Sequence, residues 1–436
     1  MSLVIVSPLT PATGNATTAH RLSSLLAPWL PSQQLVDAAA ADAGAQLARA
    51  CQGSVRLCVA VHAFRSGRFF LAEDSAVGAA GAPPPPPPLI VVLAGTDINM
   101  DVESLGGSCG RSGPCSCGGA GGLGGVADGR ASSPCPDTRR ASERDGSERD
   151  ATARACVIAA VLARATAVVA FSTAMGERYL RFVARVGSAG GGDALAAATC
   201  KLRVIPQGVD VAEIPPLGAP PAAPLPLRAA CGLSAEARVL LLAAGVRQVK
   251  DPLFLVPAVR EWHAEDSRVH MVVVGPALDA ALAAQLWAQC GAACGAATGT
   301  CCGQGASCGQ LGGCCSGVRY HPPVPRATLL QWLRECDIAL NSSVTEGQSG
   351  TLLEAQALGT PVVARRNEGN AAIIRHGETG MLFDTPAQAV STCRTLLADQ
   401  SELRSRIVHA AGAAVDALHS PQAEARAWHE LILRLL

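Results

Sequence analysis

The sequence predicts an α/β protein of two parallel, doubly wound sheets interrupted by low-complexity inserts. Three observations predict it. Short apolar runs of strand length alternate with Ala-rich helical patterns along most of the chain, and such alternation builds parallel sheets covered by helices. The 436 residues are enough for two full cores. A proline-rich stretch, Glu213–Leu227, divides the alternation into two blocks and reads as a hinge.

The first block spans 1–212, with strands expected at Leu3–Val6, Val55–Val61, Leu89–Leu93, Ala167–Phe171 and Leu202–Ile205. Pro83–Pro88 reads as surface polyproline II. Gly106–Asp150 is glycine-rich and then charged, and such a composition reads as a disordered insert. The second block runs from about Arg228 to His419, with strands at Val239–Ala244, Val269–Gly275, Val318–Tyr320, Cys336–Leu340 and Val362–Ala364. A Cys- and Gly-rich insert, Gly291–Gly317, interrupts it. The closing segment, 420–436, contains an amphipathic helix, Gln422–Leu436, with Ala427, Leu431 and Leu435 on one face.

Composition excludes several classes. Lys plus Arg and Asp plus Glu both number 35, so the formal net charge is zero. With no basic excess and 3% aromatics, nucleic-acid binding is disfavoured. No apolar run reaches membrane-span length. MSLVIVSPLT has no charged n-region and reads as a first strand, so no signal peptide and a cytoplasmic location are expected. Eighteen cysteines could suggest a disulfide scaffold, but such scaffolds are short chains lacking a core. Cys109, Cys115, Cys117 and Cys135 fall in the first insert; Cys290, Cys294, Cys301, Cys302, Cys308, Cys314 and Cys315 fall in or beside the second. Their spacings lack a structural zinc pattern and no histidine lies in either insert, so no metal is expected. Cys156 and Cys336, inside apolar patterns, read as small core residues.

The chemistry concentrates in Asn341–Gly380. Glu346 and Glu354 are separated by seven residues, with a polar glycine turn and a helix start between them. Ser349 reads as the N-cap, Gly350 and Thr351 as the helix opening, and Gly359 as its stop. The N–H groups of Gly350, Thr351 and Leu352 then face the crevice at the strands' carboxyl ends, where an anion such as a diphosphate is favoured. Glu354 can accept both hydroxyls of a ribose, and Glu346 the hydroxyls of a sugar, beside the backbone of Gly347, Gln348 and Ser349. At arbitrary spacing the pair would read as a solvated loop charge and a helix-end charge. The glycine turn, the helix start and the TPVV strand favour the functional reading. Arg247 and Lys250 fall in the loop after Val239–Ala244, ahead of a helix expected to be capped by Asp251 with Pro252 first. Two cations there can stabilise charge growing on a diphosphate leaving group.

These segments together resemble the retaining glycosyltransferases of family 4, the glycosyl transferases group 1 domain. Glu346–Glu354 resembles its E-x7-E region, VIPQGVD at Val204–Asp210 its V-I-P-N-G-V-D strand end, and Gly245–Lys250 its G-R-x-x-x-K loop. Asn367–Phe383 resembles its G-G-x-x-E-I-I and G-x-T-G-x-L-F elements. The resemblance implies the GT-B arrangement: two Rossmann-like domains facing a cleft, the second binding the donor, the first the acceptor, with the closing helix crossing back. It implies a retaining hexosyltransferase acting from a nucleotide-diphosphate sugar to an unknown acceptor, by front-face transfer, with no cofactor and no metal. It also implies donor contacts by Gly245, and by Gly14 and Asn15 in the PATGN loop ahead of a helix near Thr17. Gly95-Thr96-Asp97 resembles the family's H-G-T-D, but Ala94 stands where relatives place a histidine; His62, at another strand end, is a possible substitute. That departure motivates a competing reading, a catalytically silent nucleotide-sugar-binding protein. A nucleotide-sugar epimerase on a similar two-domain shape is a third.

Overall fold

The computed structural model describes residues 2–10, 13–51, 55–71, 86–93, 153–186, 191–212, 225–290, 317–398 and 402–436. Two six-stranded sheets organise them, and every strand pair in both is parallel. The first contains β1 (Ser2–Ser7), β2 (Ser32–Asp37), β3 (Val55–Val61), β4 (Leu89–Val92), β5 (Ala167–Ala170) and β6 (Leu202–Val204), ordered β2-β1-β3-β4-β5-β6. The second contains β7 (Arg238–Ala243), β8 (Val269–Val274), β9 (Val318–His321), β10 (Ile338–Asn341), β11 (Val362–Arg365) and β12 (Met381–Phe383), ordered β12-β11-β10-β7-β8-β9. The strands expected from sequence are present, with ends moved by one or two residues. Two had not been foreseen. Edge strand β2 reads SQQLVD and buries only one residue fully, so it carries no apolar run. β12 is three residues long.

The order of the second sheet positions the site. The chain winds outward from β7 to β8 and β9, then returns to lay β10 on the other side of β7. At such a reversal two adjacent strands send their following loops in opposite directions, opening a crevice at their carboxyl ends.

Both faces of each sheet are covered by apolar side chains. On one face of the first sheet, Leu3, Ile5, Val59 and Ile90 pack with Leu22 and Leu26 of the helix Gly14–Leu26. The same cluster takes in Trp428, Leu431 and Ile432 from the helix Pro421–Leu435, which thus completes the first sheet from beyond the second. Ala427 and Leu435 lie at the margin of that contact. Gly208 permits the crossing: a Cβ there would stand 2.7 Å from Pro421 Cα, closer than real side chains pack.

Some sequence expectations are corrected. Cys156 is exposed, because it lies on the outer side of the helix over 153–164, whereas Cys336 is buried. Cys290, grouped with the second insert, is a core residue that ends the helix Ala280–Gln289. Leu227, placed in the hinge, is fully buried and opens the turn Leu227–Ala230. The insert Gly106–Asp150, positions 291–316 of the second insert, positions 213–224 of the hinge and positions 83–85 of the proline tract lie outside the described residues. Among the described residues no helix is long and apolar enough to cross a membrane.

Trp428 is fully buried against the first sheet, so Trp428→Ala should destabilise the protein by about 3–5 kcal/mol. Denaturant titration followed by circular dichroism reads the loss; an unchanged midpoint would show that the crossing helix contributes no packing energy.

Candidate functional site

β7 and β10, neighbours at the reversal, each deliver one half of the site. The loop after β7 carries Arg247 and the 3-10 turn Gln248–Lys250; the loop after β10 carries Ser342 to Ser349. Lys250 and Glu346 form an ion pair between the loops, their side chains 18% and 9% exposed. The same Glu346 oxygen, Oε1, accepts from Asn341 Nδ2 at 3.0 Å and Ser343 Oγ at 2.8 Å. Two more bonds join the loops: Val344 N–H donates to Val249 O at 3.0 Å and Ser342 Oγ to Lys250 O at 2.9 Å. Burial pushes the Glu346 carboxyl up, but the Lys250 ammonium, with Asn341 and Ser343, more than offsets this and holds it below its ordinary value. Gly369 packs against this loop so closely that a Cβ would collide with the Glu346 backbone.

Arg247 is half-buried beside the pair. Its Nε is buried and has no hydrogen-bond partner among the described residues. Burial lowers its pKa, the Glu346 carboxylate opposes that, and Arg65, in the turn after β3 of the first sheet, lowers it further. Guanidinium remains protonated throughout, so the crevice contains a charged N–H donor awaiting an acceptor. Gly245 allows the β7 loop to pass beneath Leu278, whose Cδ1 would lie 2.9 Å from a Cβ there.

The helix Gly350–Ala357 opens at this crevice. Ser349 occupies its N-cap position, but its side chain makes no capping bond; its Oγ instead accepts from Asn341 Nδ2 at 3.4 Å. The first-turn N–H groups of Gly350, Thr351 and Leu352 therefore receive nothing from the expected cap. Gly350 faces open space, and Gly347 is buried in the turn. Gly359, at φ +76°, follows the helix end. Glu354 is paired with Arg326, which also donates to Asp210 O at 2.6 Å. Sequence reasoning missed Arg326, the first residue of the helix Arg326–Glu335, because a single arginine after a proline carries no pattern.

Asp251 departs from expectation, and the structure also places Gln348, Gly14, Asn15 and His62. Asp251 does not cap a helix: its φ is +41°, the helix starts at Val256, and its Oδ2 accepts from Arg365 at 2.9 Å while Pro252 lies in the intervening turn. Arg365 in turn stacks over the Phe254 ring at 3.9 Å. Gln348 is engaged with the other half of the molecule: its Nε2 donates to Phe171 O at 3.2 Å, and its Oε1 and backbone O accept from Gln207 at 3.4 and 3.3 Å. The helix expected near Thr17 starts at Gly14 under a Thr13 cap, so Gly14 and Asn15 are first-turn residues at the end of β1, and Gly14 has nothing within 4 Å of its Cβ position. His62 follows β3 at φ +83°, a strained conformation for a residue with a side chain, and its Nδ1 accepts from Arg65 N–H at 3.3 Å. Ala94 and Asp97 lie outside the described residues.

Residues 237–399 match the family described as Glycosyl transferases group 1. The chain is 31% identical over 202 residues to glycosyltransferase 1 domain-containing protein 1 of Xenopus tropicalis, covering 46% of this chain and 52% of that protein. It is 30% identical over 217 residues to D-inositol 3-phosphate glycosyltransferase of Xylanimonas cellulosilytica, covering 49% and 47%. The chain thus spans about half the length of these curated relatives. Among solved structures, Anabaena Alr3699/HepE in complex with UDP-glucose superposes with a TM-score of 0.63 at 16% identity, over 99% of each chain. Sucrose-phosphate synthase from Thermosynechococcus elongatus gives 0.63 at 14%, over 100% of this chain and 99% of that one. The fold is the GT-B arrangement of two Rossmann-like domains.

The lowered Glu346 pKa sets the sign of a pH effect. Stability from the pair is fully present above the ordinary value of 4.5 and is lost as pH falls through the lower folded value. Glu346→Gln should melt at lower temperature at pH 7, since it strands a buried ammonium at a cost of about 3–5 kcal/mol. It should also show a shallower loss of stability below pH 4.5. Melting curves from pH 3 to 7 read both; parallel acid limbs would mean that Glu346 does not titrate as described.

Proposed function

We propose, from the premise that residues 237–399 carry the pattern of the group 1 glycosyl transferases, that this protein is a retaining glycosyltransferase moving a hexose from a nucleotide-diphosphate sugar to an acceptor. The observation that carries the reading is the unpartnered, buried Arg247 Nε beside the Lys250–Glu346 pair, at the carboxyl ends of β7 and β10. A diphosphate seated there would supply the acceptor that Arg247 lacks. Lys250 has N–H donors beyond the one given to Glu346.

The chemistry follows from charge. The bond from sugar C1 to the diphosphate oxygen breaks, and its electron pair goes to the diphosphate. Arg247 and Lys250 stabilise that charge more in the transition state than in the ground state. A bond from C1 to the acceptor oxygen forms on the same face, and the acceptor proton passes to a phosphate oxygen. Glu346, held ionised, accepts hydroxyls of the sugar. Glu354, turned from solvent by Arg326, accepts those of the ribose. Arg247, Lys250 and the first turn of Gly350–Ala357 supply positive charge, so the reading needs no metal. UDP-glucose, present in the Anabaena complex, is the first donor to test. Buried free thiols at Cys58, Cys231, Cys336 and Cys393 suit a reducing compartment, and the reading places the activity in the cytoplasm.

A thermal-shift panel of UDP-, GDP- and ADP-hexoses tests donor binding. A donor at 100 times its dissociation constant should stabilise the native state by about 2.7 kcal/mol, and no shift with any donor would refute the reading. Arg247→Ala removes a charge-assisted bond and should lower kcat/KM about 10- to 100-fold; equal activity would remove Arg247 from the mechanism. Tight binding with neither transfer nor slow donor hydrolysis would favour the silent protein, and a sugar epimerised without acceptor, seen by NMR, the epimerase.

A further inference from the structure

Asn341 ends β10 with its side chain buried and all its amide functions in use. Its Nδ2 donates to Glu346 Oε1 at 3.0 Å and to Ser349 Oγ at 3.4 Å. Its Oδ1 accepts from Ser343 N–H at 3.0 Å and from Asn370 Nδ2 at 3.2 Å. Asn370, fully buried, also donates to Arg365 O at 2.9 Å and receives its own N–H cap from Asn367 Oδ1 at 2.9 Å. One amide therefore touches the carboxylate, the residue before the helix, the loop backbone and the turn after β11.

From this geometry we infer that Asn341 is a positioning residue, which fixes Glu346 Oε1 for the sugar and ties that carboxylate to Ser349 and to the turn Glu368–Ala371. Only an amide can do this. Aspartate has the same shape but would accept where a donor is needed, setting a second carboxylate against Glu346. Alanine would remove one of the donors that hold Glu346 Oε1 and leave Lys250 and Ser343 to orient it. An apolar residue, which would suit the end of a buried strand, would leave Asn370 Nδ2 and Ser343 N–H with one acceptor fewer.

The inference rests on the proposed donor site, and the test separates the two. Its first arm uses no ligand. Charged groups facing Glu346 are Lys250 and Arg247, with the Asp251–Arg365 and Glu368–Arg178 pairs on the adjoining loops and turn. None of these changes in Asn341→Asp, so the two facing carboxylates should share a proton in the folded state, and the variant's stability deficit against wild type, largest at pH 7, should shrink as pH falls through 4.5. In the second arm, Asn341→Ala should bind UDP-glucose about 10- to 100-fold more weakly than wild type while binding UDP equally. A merely structural role would weaken both ligands together. Should Asn341→Asp fail to fold at pH 7, Asn341→Ser, which keeps a shorter donor, is read in the UDP and UDP-glucose titrations. A stability deficit that stays constant with pH, or parallel losses for UDP and UDP-glucose, overturns the inference. Wild-type protein that binds no nucleotide sugar overturns the donor site instead, and the pH dependence of the deficit still decides the role of Asn341.

Discussion

A carboxylate and an ammonium taken out of water together are the constraint around which the second domain is arranged. Neither Glu346 nor Lys250 could be buried alone without a cost of several kcal/mol. Their loops leave neighbouring strands in opposite directions, and the pair brings them back into contact. The remaining details serve that contact. Asn341 and Ser343 complete the solvation of the carboxylate that water would have supplied. Two backbone-level bonds hold the loops in register, and Gly369 lets the turn after β11 close over them. Beside this cluster, Arg247 has a buried Nε with no hydrogen-bond partner among the described residues.

The two domains meet through a second polar cluster. Gln207 lies in the segment that leaves β6, and its backbone O is bonded to the His419 ring at 3.0 Å. Its amide donates to Gln348 O in the loop after β10. Gly208 N–H donates to Glu424 Oε2 at 2.7 Å, and Glu424 is also paired with Arg21. Glu368 adds ion pairs to Arg178 and Arg181 of the helix Thr173–Val186. The residues that shape the loop after β10 thus also set the distance between the walls of the cleft. A ligand that moved Gln348 would have to break bonds to Phe171 and Gln207, so loop rearrangement and relative domain motion are energetically coupled.

Much of this was legible in the residue order because the relevant signals are local. Apolar runs announced the buried strands, and the glycine turn with its helix start announced where an anion would be favoured. What stayed hidden depended on contacts distant in sequence. Arg326 meets Glu354 across 28 positions and Asn370 meets Asn341 across 29; neither pairing has a spacing rule. The sequence singled out Gln348 for its backbone, and only the other domain shows what its side-chain amide meets. Asp251 had the features of a helix cap, an acidic residue before proline, but it lies in a left-handed turn with its carboxylate bonded to Arg365. Edge strand β2 was invisible for the converse reason: half-exposed, it needs little apolar character.

The helix Pro421–Leu435 has one further consequence, for synthesis. A chain emerging from the ribosome folds its domains from the amino end as each becomes complete. Here the first domain is not complete when its own strands have emerged, because Trp428, Leu431 and Ile432 arrive only after the whole of the second. Until then the apolar surface around Leu22, Leu26 and Leu30 lacks its cover. The nascent first domain must wait, exposed, for residues translated after all twelve strands of the described residues, and chaperone demand during translation should be set by that delay.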